Sequence, residues 1–455
     1  MEVTLPPLVI KVLSVLEKAD CQAYVVGGAV RDMLMNKPVT DWDFATAAKP
    51  ETIVKLFKDA FYDNRFGTVG IAEKHLGGKG DGVMEITTFR TESGYSDKRR
   101  PDKVEFADSL NEDLQRRDFT INAMALRVLT YTQGKAEIEI IDPFGGQEDL
   151  KKKQIKAVGN PDQRFQEDAL RLMRAIRIGA ELGFSIEAKT LKAMAKNAAL
   201  INDIAKERVR DELIKIIASK FPKDGITLLF TSGLLEHILP ELITTRGVTQ
   251  AGHHTKDVWD HSLDSLAGCP SPEPIVRLAT LLHDIGKPAS KKNLGRGKEI
   301  TFYNHEVIGA RMVKAIARRL KFSKKEIDLL WLLTRWHMFA YEPKMTDKAI
   351  RRFIRRVEIV NIDKMMMLRV GDRIGGGSKA TSWRLQELRR RIDEVLQTPM
   401  QINDLKVNGH DVMKLLNLPA GPKVGQILNK LFEEVMEDAK KNDRDYLLKR
   451  IKEIF

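Results

Sequence analysis

A chain of 455 residues exceeds what one ordinary hydrophobic core organises, so two to four domains are expected. Lys and Arg total 76 against 63 Asp and Glu, and this excess of +13 suits a polyanionic partner, nucleic acid being the commonest. Two cysteines, Cys21 and Cys269, exclude a disulfide framework or a zinc ribbon and fit a reducing compartment. The opening stretch, MEVTLPPLVIKVLSVLEKAD, has no basic segment before its apolar run and carries charges inside it. It predicts an amphipathic helix instead of a signal peptide, and no apolar run anywhere reaches membrane-spanning length. A cytoplasmic protein with no membrane partner is expected.

The first informative stretch is Val25–Phe44, VVGGAVRDMLMNKPVTDWDF. Tyr24-Val25-Val26 suits a buried strand that breaks at Gly27-Gly28, and Ala29–Met35 has helical composition. Adjacent glycines let backbone N–H groups approach a phosphate, and the helix N-terminus adds partial positive charge there. Arg31, one turn into the helix, is placed to clamp a phosphate oxygen. A second strand is predicted near Asp41, where alternation points the Asp41 and Asp43 carboxylates to one face. Two hard oxygen ligands side by side suit Mg²⁺. A capped helix is expected over Pro50–Ala60, with strands at Thr68–Ala72 and Val83–Phe89. Glu85, in the alternating run VMEITTF, is either a third metal-binding carboxylate or an exposed edge-strand residue. His75–Gly82, HLGGKGDG, predicts a glycine-rich hairpin tip. Thr91–Val104, with four basic side chains and no periodicity, predicts a mobile loop. Asn111–Ala125, NEDLQRRDFTINAMA, predicts a helix and a short apolar turn. Its Arg116 and Arg117 are either planar donors for a triphosphate or sugar, or a solvated helix face. Ile141–Leu150, IDPFGGQEDL, closes the domain with a turn.

Beyond Leu150 the periodicity is helical, through Ala169–Phe184, Lys189–Met194, Val209–Ile217 and Ile226–Ile238. Arg164–Arg177, RFQEDALRLMRAIR, is expected to be one helix with Asp168, Arg171 and Arg174 on a shared face. An Asp–Arg pair there can present an acceptor and donors to a nucleobase edge, or can be an intrahelical salt bridge worth about 0.2–0.5 kcal/mol. Six of the nine histidines then fall between His253 and His337: His253, His254, His261, His283, His305 and His337. Around LLHDIGKP, Leu281–Pro288, they predict a metal site, and mixed imidazole and carboxylate ligands suit Mn²⁺, Fe²⁺, Ni²⁺ or Zn²⁺ without choosing among them. The tail holds NGHDVMKLLNLPAGPKVGQILNKL, whose Gly-Pro-Lys-Val-Gly turn opens a helix and either receives a phosphate or simply joins two helices. Arg373–Gly377 and Arg389-Arg390-Arg391 are expected to be solvated faces.

GGAVRD followed by DWDF resembles the nucleotidyltransferase signature of the polymerase-β superfamily, in its tRNA nucleotidyltransferase branch. Arg116–Ala125 resembles the motif RRDFTxNAMA, and Glu167–Arg171 resembles the EDxxR motif of the class II tRNA nucleotidyltransferases. Glu207–Ile217, ERVRDELIKII, is similar to the helix that closes their neck region, and LLHDIGKP resembles the HD phosphohydrolase superfamily. The resemblance implies an α+β fold: a nucleotidyltransferase head with a mixed sheet over 1–148, then an all-α neck over 149–240, an HD domain over 241–395 and an RNA-binding tail over 396–455.

It implies addition of C, C and A to tRNA 3′ ends from CTP and ATP with release of pyrophosphate. Asp41 and Asp43 would hold Mg²⁺ with help from Glu85. Gly28 and Arg31 would meet the triphosphate, and Arg117, Asp118, Asp168, Arg171, Arg174 and Arg177 the nucleotide. His261, His283, Asp284 and Asp372 match the HD ligands, and His305 and His337 would supply a second metal ion for hydrolysis of a phosphoester. Thr91–Val104 matches the loop that CCA-adding and A-adding enzymes keep and CC-adding enzymes shorten. Three alternatives share parts of the pattern. An A-adding enzyme with a CC-adding partner would keep every motif. A bacterial poly(A) polymerase would show a basic-basic-Phe signature where Ala29-Val30-Arg31-Asp32 stands. An HD phosphohydrolase with a merely nucleotide-binding head would not need Asp41 and Asp43. Oligomeric state is not legible.

Overall fold

The computed structural model describes residues 1–455 except 64–66, 79, 81, 95–102, 133, 250–255, 294–299 and 398–401. It comprises two compact units, Met1–Ile243 with Arg319–Phe322, and Thr244–Arg318 with Ser323–Phe455.

The first unit is α+β. Its described strands are β1 (Glu2–Val3), β2 (Ala23–Val26), β3 (Asp43–Thr46), β4 (Phe61–Asp63), β5 (Thr68–Ala72), β6 (Val83–Thr88), β7 (Arg90–Ser93), β8 (Lys103–Phe106), β9 (Ala125–Thr132) and β10 (Lys135–Ile141). Eight of them form one sheet in the order β1-β10-β9-β2-β3-β6-β5-β4. It is mixed, because β3 and β6 run parallel while the other neighbours are antiparallel. Alternation sorts β2 onto two cores. Ala23 and Val25 join Val9, Val12, Leu13 and Leu16 of the helix Pro7–Lys18, whereas Tyr24 and Val26 join Ala45, Phe89, Leu110 and Leu114. Each such aliphatic side chain stabilises the unit by roughly 1.5–3 kcal/mol on burial. Phe44 belongs to the first core and Ala45 to the second, so Asp43 shares the second face with Glu85.

Several expected elements shift. The strand predicted near Asp41 starts at Asp43, because β2 ends at Val26, its pairing partner, where Gly27 turns with φ 75°. The helix over Pro50–Ala60 stops at Leu56 and has no side-chain cap; Phe57 is extended and Asp59 takes φ 61°. The loop predicted over Thr91–Val104 is framed by paired strands, β7 with β8, and its residues 95–102 lie outside those described. The hairpin tip of His75–Gly82 does join the antiparallel β5 and β6, through the 3₁₀ turn Glu73–Leu76. Helix Leu110–Gln115 is capped by the Ser109 side chain, and a separate 3₁₀ turn follows at Thr120–Asn122.

Beyond the sheet, the first unit continues as helices Pro161–Glu167, Leu170–Leu182, Ala188–Asn197, Lys206–Ala218 and Pro222–Thr231. Arg164–Arg177 is therefore not one helix. Asp168 is extended (φ −136°, ψ 103°), and its Oδ1 accepts the Leu170 N–H at 3.0 Å, the capping habit that makes aspartate unfavourable inside helices.

The second unit is helical. Val258–Gly268, Pro274–Leu282, His305–Arg319, Lys324–Trp336 and Ile362–Gly375 bear the histidine cluster, and the tail helices Gly409–Leu416, Pro422–Glu437 and Arg444–Ile454 close on their own apolar core. Arg389, Arg390 and Arg391 are ion-paired with Asp363, Glu387 and Asp347. Arg391 is half-buried, so the expected solvated face is partly engaged within the unit. No helix among the described residues is long and apolar enough to cross a membrane.

Candidate active site and metal cluster

In the first unit, β2 delivers the chain to Gly27 and helix Gly28–Leu34 leaves it. A side chain on Gly27 would place its Cβ 3.0 Å from Nη1 of Arg117 and 3.7 Å from Oδ2 of Asp43, on top of an unfavourable positive φ. At Gly28 a Cβ would meet the Arg31 guanidinium at 3.5 Å. The glycine pair thus lets two guanidiniums and a carboxylate close over one turn.

Asp43 and Glu85 are Cα partners on the parallel strands β3 and β6. Trp42 is buried between an exposed Asp41 and a half-buried Asp43, so Asp41 lies outside the sheet yet near Asp43. Burial raises the Asp43 pKa first, the Glu85 and Asp41 charges raise it further, and Arg117 opposes them. Three mutually repelling carboxylates suit a hard divalent cation, whose charge removes the repulsion.

The arginines are held from behind by an acid that sequence reasoning missed. Asp113 is fully buried, and its two oxygens take Arg116 at 2.6 Å and Arg117 at 3.1 Å. Burial alone would raise its pKa, but the two guanidiniums hold it below the ordinary carboxylate value. Its signal was the i, i+3, i+4 spacing to Arg116 and Arg117. Arg31 pairs with Asp32 and donates to Oδ1 of Asn122 at 2.8 Å. The 3₁₀ turn that carries Asn122 is fixed by Thr120 Oγ1 donating to the buried Asp149 at 2.7 Å. Asp118 accepts from Nε of Arg174 at 2.7 Å, tying the sheet's rim to helix Leu170–Leu182.

The two halves of the expected base-reading pair differ in their surroundings. Arg171 is buried and donates to Glu167 at 2.9 Å and to the carbonyls of Arg164 and Arg116 at 3.3 and 3.1 Å. Asp168 is raised in pKa by burial, against the Leu170 N–H, Arg208, Arg171 and Arg174. Arg208, on helix Lys206–Ala218, is a neighbour the sequence did not single out. Arg177 pairs with Glu212 at 2.9 Å and Glu181 at 3.4 Å.

In the second unit six residues converge from five segments. His261 Nε2 lies 3.2 Å from His283 Nε2 and 3.1 Å from Asp372 Oδ1. Asp284 spans the cluster, with Oδ2 at 3.2 Å from His283 and 3.4 Å from His261, and Oδ1 at 3.3 Å from His305 and 3.7 Å from His337. Nδ1 of His283, His305 and His337 each donate to the carbonyl of the residue three positions earlier, at 2.7, 2.8 and 2.8 Å. That fixes the tautomer and turns every Nε2 lone pair inward. His305 and His337 therefore face each other with two acceptors 3.4 Å apart, an arrangement that a cation between them satisfies. Burial pushes His337 down to about 3, which keeps it a neutral ligand. At His283 burial acts downward, but the Asp284 and Asp372 carboxylates override it and raise the value to about 10. Both acids are held well below the carboxylate range, since His283 outweighs their burial. The cluster calls for positive charge, and His261, His283 and Asp372, or His283, Asp284 and His337, offer atoms close enough to share one ion.

These residues line a cavity of about 510 Å³ with Lys287, Arg369 and Arg373 on its wall. Arg373 is half-buried there, which corrects the solvated face expected of Arg373–Gly377. His253 and His254 lie outside the described residues.

A mixed sheet with paired acids beside a Gly-Gly turn, helices following it in the same unit, and a separate unit with an HD cluster define a nucleotidyltransferase of the polymerase-β type carrying an HD domain. Family models match accordingly: the poly A polymerase head domain over residues 23–156, the RNA and SrmB-binding site of polymerase A over 183–244, the HD domain over 251–367 and tRNA nucleotidyltransferase domain 2 over 311–451. The chain belongs to the CCA-adding enzyme family: it is 33% identical to the CCA-adding enzyme of Ligilactobacillus salivarius (strain UCC118), with 98% of this chain and 96% of that protein aligned. A CCA-adding enzyme of Limosilactobacillus reuteri (strain DSM 20016) is 48% identical over 227 residues, half of this chain and 53% of that relative's length. The crystal structure of Bacillus stearothermophilus CCA-adding enzyme in complex with CTP superposes with a TM-score of 0.70 at 27% identity, covering 99% of this chain and 98% of that one. Such a head works with a divalent metal.

Proposed function

We propose that this protein adds C, C and A to tRNA 3′ ends from CTP and ATP, without a nucleic-acid template, as its family name implies. The observation that carries the reading is the register of Asp43 against Glu85, with Asp41 beside them and Arg31 and Arg117 over the Gly27-Gly28 turn. The tRNA 3′ oxygen bonds to the α-phosphorus, the bond from that phosphorus to the bridging oxygen of the β-phosphate breaks, and pyrophosphate leaves. Asp41 and Asp43 hold Mg²⁺ with help from Glu85. Bound there, the ion polarises the α-phosphate and offsets charge that develops on it. Gly28 and Arg31 receive the triphosphate, and Arg117, kept in place by Asp113, stands beside the acids. Asp118 and Arg174 brace the nucleotide site from behind, and Asp168, Arg171 and Arg177 form its base-reading side.

The working division is head 1–148, neck 149–240, HD domain 241–395 and RNA-binding tail 396–455, in a cytoplasmic protein. Within the HD domain, His261, His283, Asp284, Asp372, His305 and His337 hold one or two divalent transition-metal ions for hydrolysis of a phosphoester. A damaged tRNA end is the natural substrate, since nucleotide addition needs a free 3′-hydroxyl.

Incubation with labelled CTP or ATP and tRNA lacking its terminal nucleotides tests the main reading. Incorporation of two C residues and one A supports it. Incorporation of A alone, and only onto tRNA ending in CC, identifies an A-adding enzyme; long A tails identify a poly(A) polymerase; no incorporation leaves only a nucleotide-binding head.

A further inference from the structure

The wall of the HD cavity is chemically divided. Beside the imidazole and carboxylate cluster stand three cations. Lys287 reaches Asp284 Oδ2 at 2.6 Å, Arg369 reaches Asp372 at 2.5 Å, and Arg373 is tethered by the carbonyls of Lys379 and Thr381 at 3.1 and 3.4 Å. The rest of the lining includes Phe302, Tyr303 and Met338. Tyr303 is 77% exposed and Met338 61%, whereas most large apolar side chains of this unit are buried. Tyr303 sits at the rim for a backbone reason. Asn304 takes the left-handed conformation (φ 62°), which turns the chain between Tyr303 and His305, the first residue of the next helix. One short turn thus supplies both an inward ring nitrogen of the cluster and an outward phenol ring.

From this juxtaposition we infer that the cavity is a nucleotide site, with Tyr303 and Met338 receiving the base and Arg373 and Lys287 the phosphate. The inference rests on the HD domain being a metal-dependent phosphohydrolase and adds which part of the substrate determines selection. An aromatic face at a wet rim gains contact area when a nucleobase covers it. Arg373, its Nε and one terminal nitrogen committed to carbonyls, is pre-oriented as a phosphate donor. In the reaction, the oxygen of water bonds to phosphorus, the bond from phosphorus to the ribose oxygen breaks, and the ribose oxygen takes up a proton. Tyr303 is a binding residue for the base and has no part in that bond exchange.

The test compares adenosine 3′-phosphate with glycerol 2-phosphate, an ester without a base, using the full-length chain supplied with Mn²⁺ or Ni²⁺. The expected result is about tenfold higher kcat/KM for the adenosine ester, mostly through KM, on the scale of one base–aromatic stack. Tyr303→Ala should remove that advantage and leave the glycerol ester unchanged, Tyr303→Phe should keep it, and Arg373→Gln should raise KM for both. Equal handling of the two esters by the parent protein, or equal loss on both in Tyr303→Ala, would overturn the base subsite. If neither ester is hydrolysed, the phosphohydrolase reading is what fails. The subsite is then decided by equilibrium dialysis of adenosine 3′-phosphate, which must bind less tightly to Tyr303→Ala than to Tyr303→Phe, and an equal affinity overturns it.

Discussion

Asp43 and Glu85 face each other as register partners on the only parallel pair in the eight-stranded sheet, and the charge of Glu85 helps to hold the Asp43 pKa above the usual carboxylate value of 3.8, second to burial. The folded protein therefore carries an unfavourable cluster of acids that a divalent cation relieves. Asp43→Asn should reduce nucleotide addition by more than about a hundredfold, the scale on which a lost electrostatic stabiliser acts. In EDTA the same variant should melt no lower than the parent, because one member of the repelling set is gone. Activity with CTP and ATP, tRNA binding and thermal melts with and without Mg²⁺ check this. Persisting turnover, or a full Mg²⁺-induced rise in Tm, would contradict the assignment.

Asp113 behaves oppositely. Its folded pKa is depressed by Arg116 and Arg117, so its stabilising contribution is fully present above 3.8 and is lost as pH falls through the depressed value. Asp113→Ala should cost about 3–5 kcal/mol near neutrality, the usual penalty for breaking a buried pair from one side. Urea melts between pH 7 and pH 3 should show the gap between variant and parent closing at the acid end.

Asp168 and Arg171 should separate. Asp168→Ala leaves the helix around Arg171 intact and should blur the choice among C, A, G and U by about 1–3 kcal/mol, if the scale for a hydrogen-bonded base edge holds. Arg171→Ala removes bonds to Glu167 and two carbonyls from a buried position, so lowered stability should accompany its loss of selectivity. Misincorporation assays beside thermal melts distinguish the two. An Asp168→Ala enzyme with unchanged selectivity would reduce that residue to a helix cap.

His283→Ala should abolish metal retention by the second unit and any phosphohydrolase activity, while nucleotide addition continues at the parent rate. The acids of the head and the ligands of the HD cluster belong to different units and share no side chain. Elemental analysis after dialysis, alongside both activity assays, checks it; loss of nucleotide addition in a normally folded variant would refute the independence.

Local features were legible in the sequence because they are written in short-range periodicity. The Gly27-Gly28 break, the strand at Val25, the placement of Asp41 and Asp43 across Trp42 and the helical character beyond Leu150 each follow from spacings of two, three or four residues. The family wording added which segments carry chemistry. Tertiary structure alone decided the rest. The parallel register that sets Glu85 beside Asp43, the ending of the first strand that leaves Asp41 outside the sheet, and the convergence of four imidazoles on Asp284 depend on which faces bury against which over the whole chain. The break at Asp168 is a local competition between helix and cap that periodicity does not resolve. Asp113 and Arg373 looked like ordinary helix-surface residues, and burial beside particular partners made one the anchor of two arginines and the other part of a cavity wall. Sequence spacing determines which face a side chain takes; the summed burial of all the faces determines what that side chain meets.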